Sequence, residues 1–133
     1  MDGLYATMTV QNPYTEGLTP QLQFWANKYK TKFNEDPAVF SAYGYLVMDS
    51  FIAAAQKVGP NLTTDTFVKT MDTMSFSDPL FGSAPSSYTA TKRLGSDASR
   101  LSQIQDGKWK VVSDYLSSAS VAAAGAPAVP AKK

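Results

Sequence analysis

The sequence predicts an α/β fold with three helices, an N-terminal strand and a C-terminal β-hairpin. Three observations support this class: a strongly apolar helical segment at residues 36–59, an amphipathic helix before it, and an Asp106-Gly107 turn between two alternating segments. With 133 residues and an apolar content of 44%, the chain is long enough to bury a hydrophobic core.

The N-terminal strand is predicted at residues 4–10, where bulky and small residues alternate and β-branched side chains are present. Pro13 and its polar neighbours interrupt the strand. The following seventy residues offer this strand no partner, which is unusual for a complete domain.

The first helix is predicted to begin at Thr19-Pro20, with Thr19 as the N-cap and Pro20 at the first helical position. It ends near Asn34. Apolar residues recur along one of its faces, which indicates an amphipathic helix: they are Leu22, Trp25, Ala26, Tyr29 and Phe33.

The central helix is predicted from about Ser41 to the Gly59-Pro60 stop, and most of its circumference is apolar. Such a pattern is typical of a helix that packs against neighbours on several sides. Asp49 lies on its narrow polar strip, so we expect this carboxylate to be solvated or paired with a nearby lysine.

A third helix is predicted from Thr63, its N-cap, to about Met74. Residues 75–100 are rich in Pro, Gly, Ser and Thr, which predicts a loop with a short strand at residues 87–92.

The closing hairpin covers residues 101–112, because Asp106-Gly107 suits the two positive-φ positions of a type I′ turn. This register pairs Ile104 with Trp109 and Ser102 with Val111 on one face. We therefore expect a structured portion at residues 1–116 and a disordered Ala/Pro/Ser-rich tail at residues 117–133.

The composition argues against most catalytic and metal chemistry. The chain contains no cysteine and no histidine, which excludes thiolate nucleophiles, sulfur-ligated metals and Ser-His-Asp triads. We predict no enzyme activity, no metal site and no cofactor. A formal net charge of +1 gives no electrostatic support for nucleic-acid binding. MDGLYATM lacks the features of a signal peptide, so the chain is either cytoplasmic or an internal piece of a longer protein.

Aromatic residues cluster where the central helix begins. Phe40, Tyr43 and Tyr45 lie within six residues of each other, next to the exposed N–H groups of the helix end. A ligand with a carboxylate or carbonyl group and an apolar side chain would suit this place. The alternative interpretation is that these rings pack in the core or at the helix entry.

The order of these features resembles the C-terminal third of type I periplasmic solute-binding proteins, in the branch that serves ABC importers for branched-chain amino acids, amides and related compounds. The resemblance covers about residues 3–112. It rests on the strand GLYATMTV, the helices in FWANKYKTKFNEDPAVFSAYGYLVMDSFIAAAQKVG and TTDTFVKTMDTMSF, the loop YTATKRLGSD, and the hairpin LSQIQDGKWKVV.

The resemblance implies part of a type I fold whose parent has two Rossmann-like lobes closing over a small-molecule ligand. It also implies a non-enzymatic protein, periplasmic or at the cell surface, that delivers its ligand to a membrane permease. One ligand contact of the family falls just before the central helix, which places it on Phe40, with Ala42 and Tyr43 as neighbours.

The resemblance also implies that much of the family fold is absent from this chain. We therefore expect Met1 to be an internal position of a longer parent, and we expect residues 1–133 to expose apolar surface. Two alternatives to an importer receptor stay open: a ligand-sensing domain of a receptor or regulator with the same fold, and a free-standing interaction domain.

Overall fold

The computed structural model describes residues 1–14, 17–117 and 119–120. In this part of the chain the elements, in order, are β1 Tyr5–Met8, α1 Pro20–Phe33, α2 Val39–Val58, a 3₁₀ turn at Gly59–Asn61, α3 Thr64–Met71, β2 Ser75–Phe76, β3 Ser86–Ser87, β4 Ala98–Gln105, β5 Lys108–Val111 and β6 Leu116–Ser117. They form two compact units. Among the described residues, the sheet unit contains Met1–Thr9 and those from Asp97 onward, and the helical unit lies within Val10–Ser96.

The sheet unit is an antiparallel sheet with β4 at its centre. β1 and β5 flank β4, and the short β6 pairs with the first residues of β4. Tyr5 lies opposite Gln103, and Met8 lies opposite Arg100. The N-terminal strand therefore pairs with a strand near the other end of the chain, more than seventy residues away in the sequence.

The β4–β5 hairpin has the predicted register, with Ile104 opposite Trp109 and Ser102 opposite Val111. Asp106 and Gly107 have φ angles of 55° and 73°, as the predicted turn requires. Ser102 and Ile104 are the buried residues of β4. β4 starts at Ala98, earlier than predicted, because its first residues pair with β6.

The helical unit begins with α1, whose two ends were both predicted. The Thr19 hydroxyl accepts a hydrogen bond from the Leu22 N–H at 3.3 Å, and Asn34 ends the helix with a φ of 55°. Trp25 and Ala26 are buried. They join Val10, Ala42 and Phe81 in the hydrophobic core of this unit.

α2 begins at Val39, two residues before the predicted start. Ser41 lies in its first turn, where its hydroxyl accepts a hydrogen bond from the Ala38 N–H at 3.1 Å. α2 contacts α1 through Trp25 and Tyr45, whose ring centroids are 6.0 Å apart, and it contacts α3 through Phe51.

The expectation that α2 packs on several sides holds only in part. Two of its residues, Ala42 and Ala54, are buried. A stripe of large apolar side chains on this helix stays at least 45% exposed, although one of them, Phe51, also contacts α3: the stripe consists of Val47, Met48, Phe51 and Ile52. Apolar surface on α2 is therefore exposed, as expected for residues 1–133. None of the helices described is both long and apolar enough to cross a membrane.

α3 is shorter than predicted and ends at Met71. The N–H groups of Thr73 and Met74 bond to carbonyls three residues back, which forms tight turns in place of a further α-helical turn. In the following loop, β2 and β3 form a two-residue ladder. The strand predicted at residues 87–92 is wrong beyond Ser87, because Thr89 and Lys92 close a turn there.

The segment predicted to be disordered starts at Ser117, which pairs with Ala98 in the structure. Residues 118 and 121–133 of this segment lie outside the described part of the chain.

Candidate functional site

The first turn of α2 presents an aromatic pair to the solvent. Phe40 is 81% exposed and Tyr43 is 37% exposed. Their ring centroids are 6.3 Å apart, because residues three apart on a helix are neighbours on its surface. Two of the three residues predicted to contact a ligand therefore share one surface.

Ala42, the third predicted residue, points the other way. It is fully buried in the core, in the cluster that contains Trp25 and Phe81. Its methyl group anchors the first turn of α2 to the helical unit. The structure thus brings Phe40 and Tyr43 together and places Ala42 beneath them.

Tyr45, the remaining aromatic residue of the predicted cluster, packs against the rings of two core residues. Its ring lies 6.0 Å from Trp25 and 5.7 Å from Phe81, in edge-to-face arrangements. The two interpretations of the aromatic cluster therefore apply to different members. Tyr45 packs edge-to-face against two core rings although it is 40% exposed, whereas Phe40 is 81% exposed.

The N-terminal end of α2 has a favourable field for anionic or carbonyl groups. Its N-cap is Ala38, which has no side-chain acceptor for the first-turn N–H groups. The nearby carboxylate of Asp36 is paired with Lys30 at 2.8 Å. The first turn of α2 thus combines the positive helix end with an exposed aromatic surface.

Sequence reasoning missed a second feature, which is a pocket of about 600 Å³ beside α1 and α2. Two of its lining residues are acidic, Asp49 and Asp78. Asp49 was expected on the polar strip of α2, solvated or paired with a lysine; it is half-buried and forms no ion pair with a described residue. Asp78 lies in the Pro- and Ser-rich loop after β2, where no periodic pattern distinguishes an inward-facing residue from an outward-facing one.

The described residues contain no group of three or more His, Cys, Asp or Glu side chains positioned to hold a metal ion. The first turn of α2 offers an aromatic surface, peptide N–H groups and a tyrosine hydroxyl, all of which can contact a small ligand.

Comparison with known proteins identifies the family. Residues 1–108 match the family model described as "periplasmic binding protein", and no curated protein matches the chain. The match includes α1, α2 and all of β4. It confirms the resemblance and the α/β class with a partial type I fold. Proteins of this family bind solutes in the periplasm and are generally not enzymes. The chain belongs to the type I periplasmic binding protein family.

Proposed function

We propose that the chain belongs to the substrate-binding component of an ABC importer. In this role it captures a branched-chain amino acid, an amide or a similar small polar molecule in the periplasm or at the cell surface, and it passes the ligand to a membrane permease. The solute-binding character of the family supports this proposal.

The observation that carries the proposal is the exposure of Phe40 at the positive end of α2. An apolar ligand side chain can cover the ring of Phe40 and the edge of Tyr43. A carboxylate or carbonyl of the same ligand can accept hydrogen bonds from the helix N–H groups. Ala42 holds the turn in place from the core side.

Isothermal titration with L-leucine, L-isoleucine, L-valine and acetamide tests the proposal on the 133-residue chain. We expect saturable binding of at least one of these compounds. Phe40→Ala should weaken it by about 1–3 kcal/mol, since the substitution removes a large apolar contact. Phe33→Ala is the matched control, because Phe33 is also an exposed aromatic residue but lies at the end of α1.

Two results would contradict the proposal. The first is the absence of binding to every compound in the panel, and the second is an equal affinity in the Phe40→Ala and parent proteins. The importer role has a separate test, which is uptake of the bound solute by cells that lack the gene. Uptake should fall sharply relative to cells that carry the gene, and unchanged uptake would favour the ligand-sensing alternative.

A further inference from the structure

The pocket between α1, α2 and the loop at residues 78–80 has the size and the lining of a small-molecule binding site. Its volume of about 600 Å³ falls in the range of small-molecule sites. Aromatic side chains supply much of its wall, namely Phe24, Trp25 and Tyr45. Sites of this kind are mostly apolar and orient their ligands with a few polar groups.

Asp78 is the least expected of those polar groups. It lines the pocket and is only 6% exposed. Its Oδ1 accepts a hydrogen bond from the Leu80 N–H at 2.6 Å, whereas its Oδ2 is buried and has no hydrogen-bond partner among the described residues. A buried carboxylate oxygen without a donor is destabilising, which points to a donor that comes from a ligand.

Asp49 adds a second carboxylate to the same pocket. It is half-buried on α2 and forms no ion pair with any described residue. The pKa of Asp78 is raised, mainly by burial and further by the charge of Asp49, against the lowering effect of the Leu80 hydrogen bond. Burial, and then the charges of Asp49 and Asp78, also raise the pKa of the Tyr45 hydroxyl. The two carboxylates therefore interact with each other and with the Tyr45 hydroxyl through their negative charges.

Lys28 is the cation that the protein itself brings to the pocket. Its Nζ lies 5.0 Å from the centroid of the Phe24 ring, and it makes no ion pair with either carboxylate in the described structure. When both carboxylates are ionised, two negative charges face one positive charge. The lining therefore retains an excess of one negative charge.

We propose that this pocket is a second binding site, which takes a primary ammonium group carried on an apolar or aromatic body. The ammonium donates to Asp78 Oδ2 and to Asp49, since it has three donors and a charge of the required sign. The apolar body lies against Trp25 and Tyr45, whose rings also attract a nearby cation.

This site differs from the one in the proposed function. Phe40, Ala42 and Tyr43 do not line the pocket. The pocket proposal therefore does not depend on the identity of the transported solute. Phe40→Ala tests one site and substitutions of the carboxylates test the other, so that the two proposals can fail separately.

The test compares 2-phenylethylamine with 2-phenylethanol, which has a similar shape but no positive charge at neutral pH. Both are titrated into the 133-residue chain and followed by ¹⁵N–¹H NMR. We expect the amine to bind at least tenfold more tightly than the alcohol and to shift the indole N–H signal of Trp25. The signal of Trp109, on β5, should stay in place.

The carboxylates are tested by Asp78→Asn and Asp49→Asn, each of which should weaken amine binding at least tenfold. The asparagine at position 78 can still accept from Leu80, and Asp49→Asn changes a half-buried helix position, so at least one variant should keep its fold. Asp65→Asn is the matched control on α3 and should leave the affinity unchanged.

Equal binding of amine and alcohol would overturn the proposal, as would the absence of amine binding. It would also be overturned if a folded Asp49→Asn or Asp78→Asn variant bound the amine as tightly as the parent chain.

Discussion

Phe81 should be the side chain whose truncation most destabilises the helical unit. It is 1% exposed, and its ring centroid lies 4.8 Å from that of Trp25 and 5.7 Å from that of Tyr45. Both contacts are edge-to-face, so Phe81 links the α1 and α2 aromatics from the loop that follows β2. Phe81→Ala removes this link but keeps the backbone bond from the Gln11 N–H to the Phe81 carbonyl.

The magnitude follows from the burial of Phe81 and its two ring contacts. Truncation of a buried Phe to Ala typically destabilises a protein by about 3–5 kcal/mol. Two aromatic pairs, each contributing about 0.5–1.5 kcal/mol beyond burial, place the expected loss in the upper part of this range. Typical domains are stable by about 5–15 kcal/mol, so the variant should be close to unfolding.

Urea denaturation followed by circular dichroism at 222 nm measures this loss. At typical slopes, a loss of about 4 kcal/mol lowers the midpoint by roughly 1.5–4 M. Phe81→Leu retains an apolar side chain and should give an intermediate value. Phe40→Ala is the matched control and should change stability by less than about 0.5 kcal/mol, because Phe40 is mostly exposed. Equal midpoints for Phe81→Ala and Phe40→Ala would refute this description of the core.

Four further predictions concern stability and use the same denaturation assay. Because burial raises the pKa of Asp78 above its ordinary value of 3.8, its contribution to stability is fully present below pH 3.8 and is lost as the pH rises through the raised pKa. The parent chain should therefore gain stability on acidification in this window relative to Asp78→Asn, and parallel profiles would contradict the assignment. Gly44→Ala should stabilise α2 by about 0.5–1 kcal/mol, because the added methyl meets nothing within 4 Å on an exposed helix. Gly107→Ala should destabilise the hairpin by about 1–2 kcal/mol, because its φ is +73°, and effects of the same sign at both glycines would refute this argument. Thr63→Ala should destabilise α3 by about 1 kcal/mol, because it removes the acceptor for the Thr66 N–H, whereas Thr64→Ala should have little effect.

The boundaries of α1 and of the hairpin turn could be predicted because their causes are local. The Thr19 cap and the Asp106-Gly107 turn each depend on groups a few residues apart. The end of α3 and the β2–β3 ladder could not be predicted in the same way. They depend on which carbonyl an N–H reaches after the periodic pattern has ended.

The same distinction between local and tertiary causes applies to the candidate site. The family resemblance singled out Phe40, Ala42 and Tyr43, of which Phe40 and Tyr43 remain the proposed contacts and Ala42 packs in the core beneath them. Only the tertiary structure separates the exposed pair from the buried Ala42. The pocket beside α1 and α2 could not be predicted from the sequence. An acidic residue in a polar loop, such as Asp78, has the same local pattern whether it faces solvent or a cavity.

The sequence by itself determined the α/β class, the three helices, the hairpin register and the family of this protein. The elements follow from periodicity and capping, which are properties of short segments, and the family follows from the resemblance in the order of the motifs along the chain. Tertiary structure alone decided that β1 pairs with β4 and that the Tyr45 ring packs against Trp25 and Phe81 while Phe40 stays exposed. It also decided that Asp78 is buried with one oxygen that has no hydrogen-bond partner among the described residues. These outcomes depend on contacts between residues distant in the chain, and the free energy of such contacts is not encoded in any one segment.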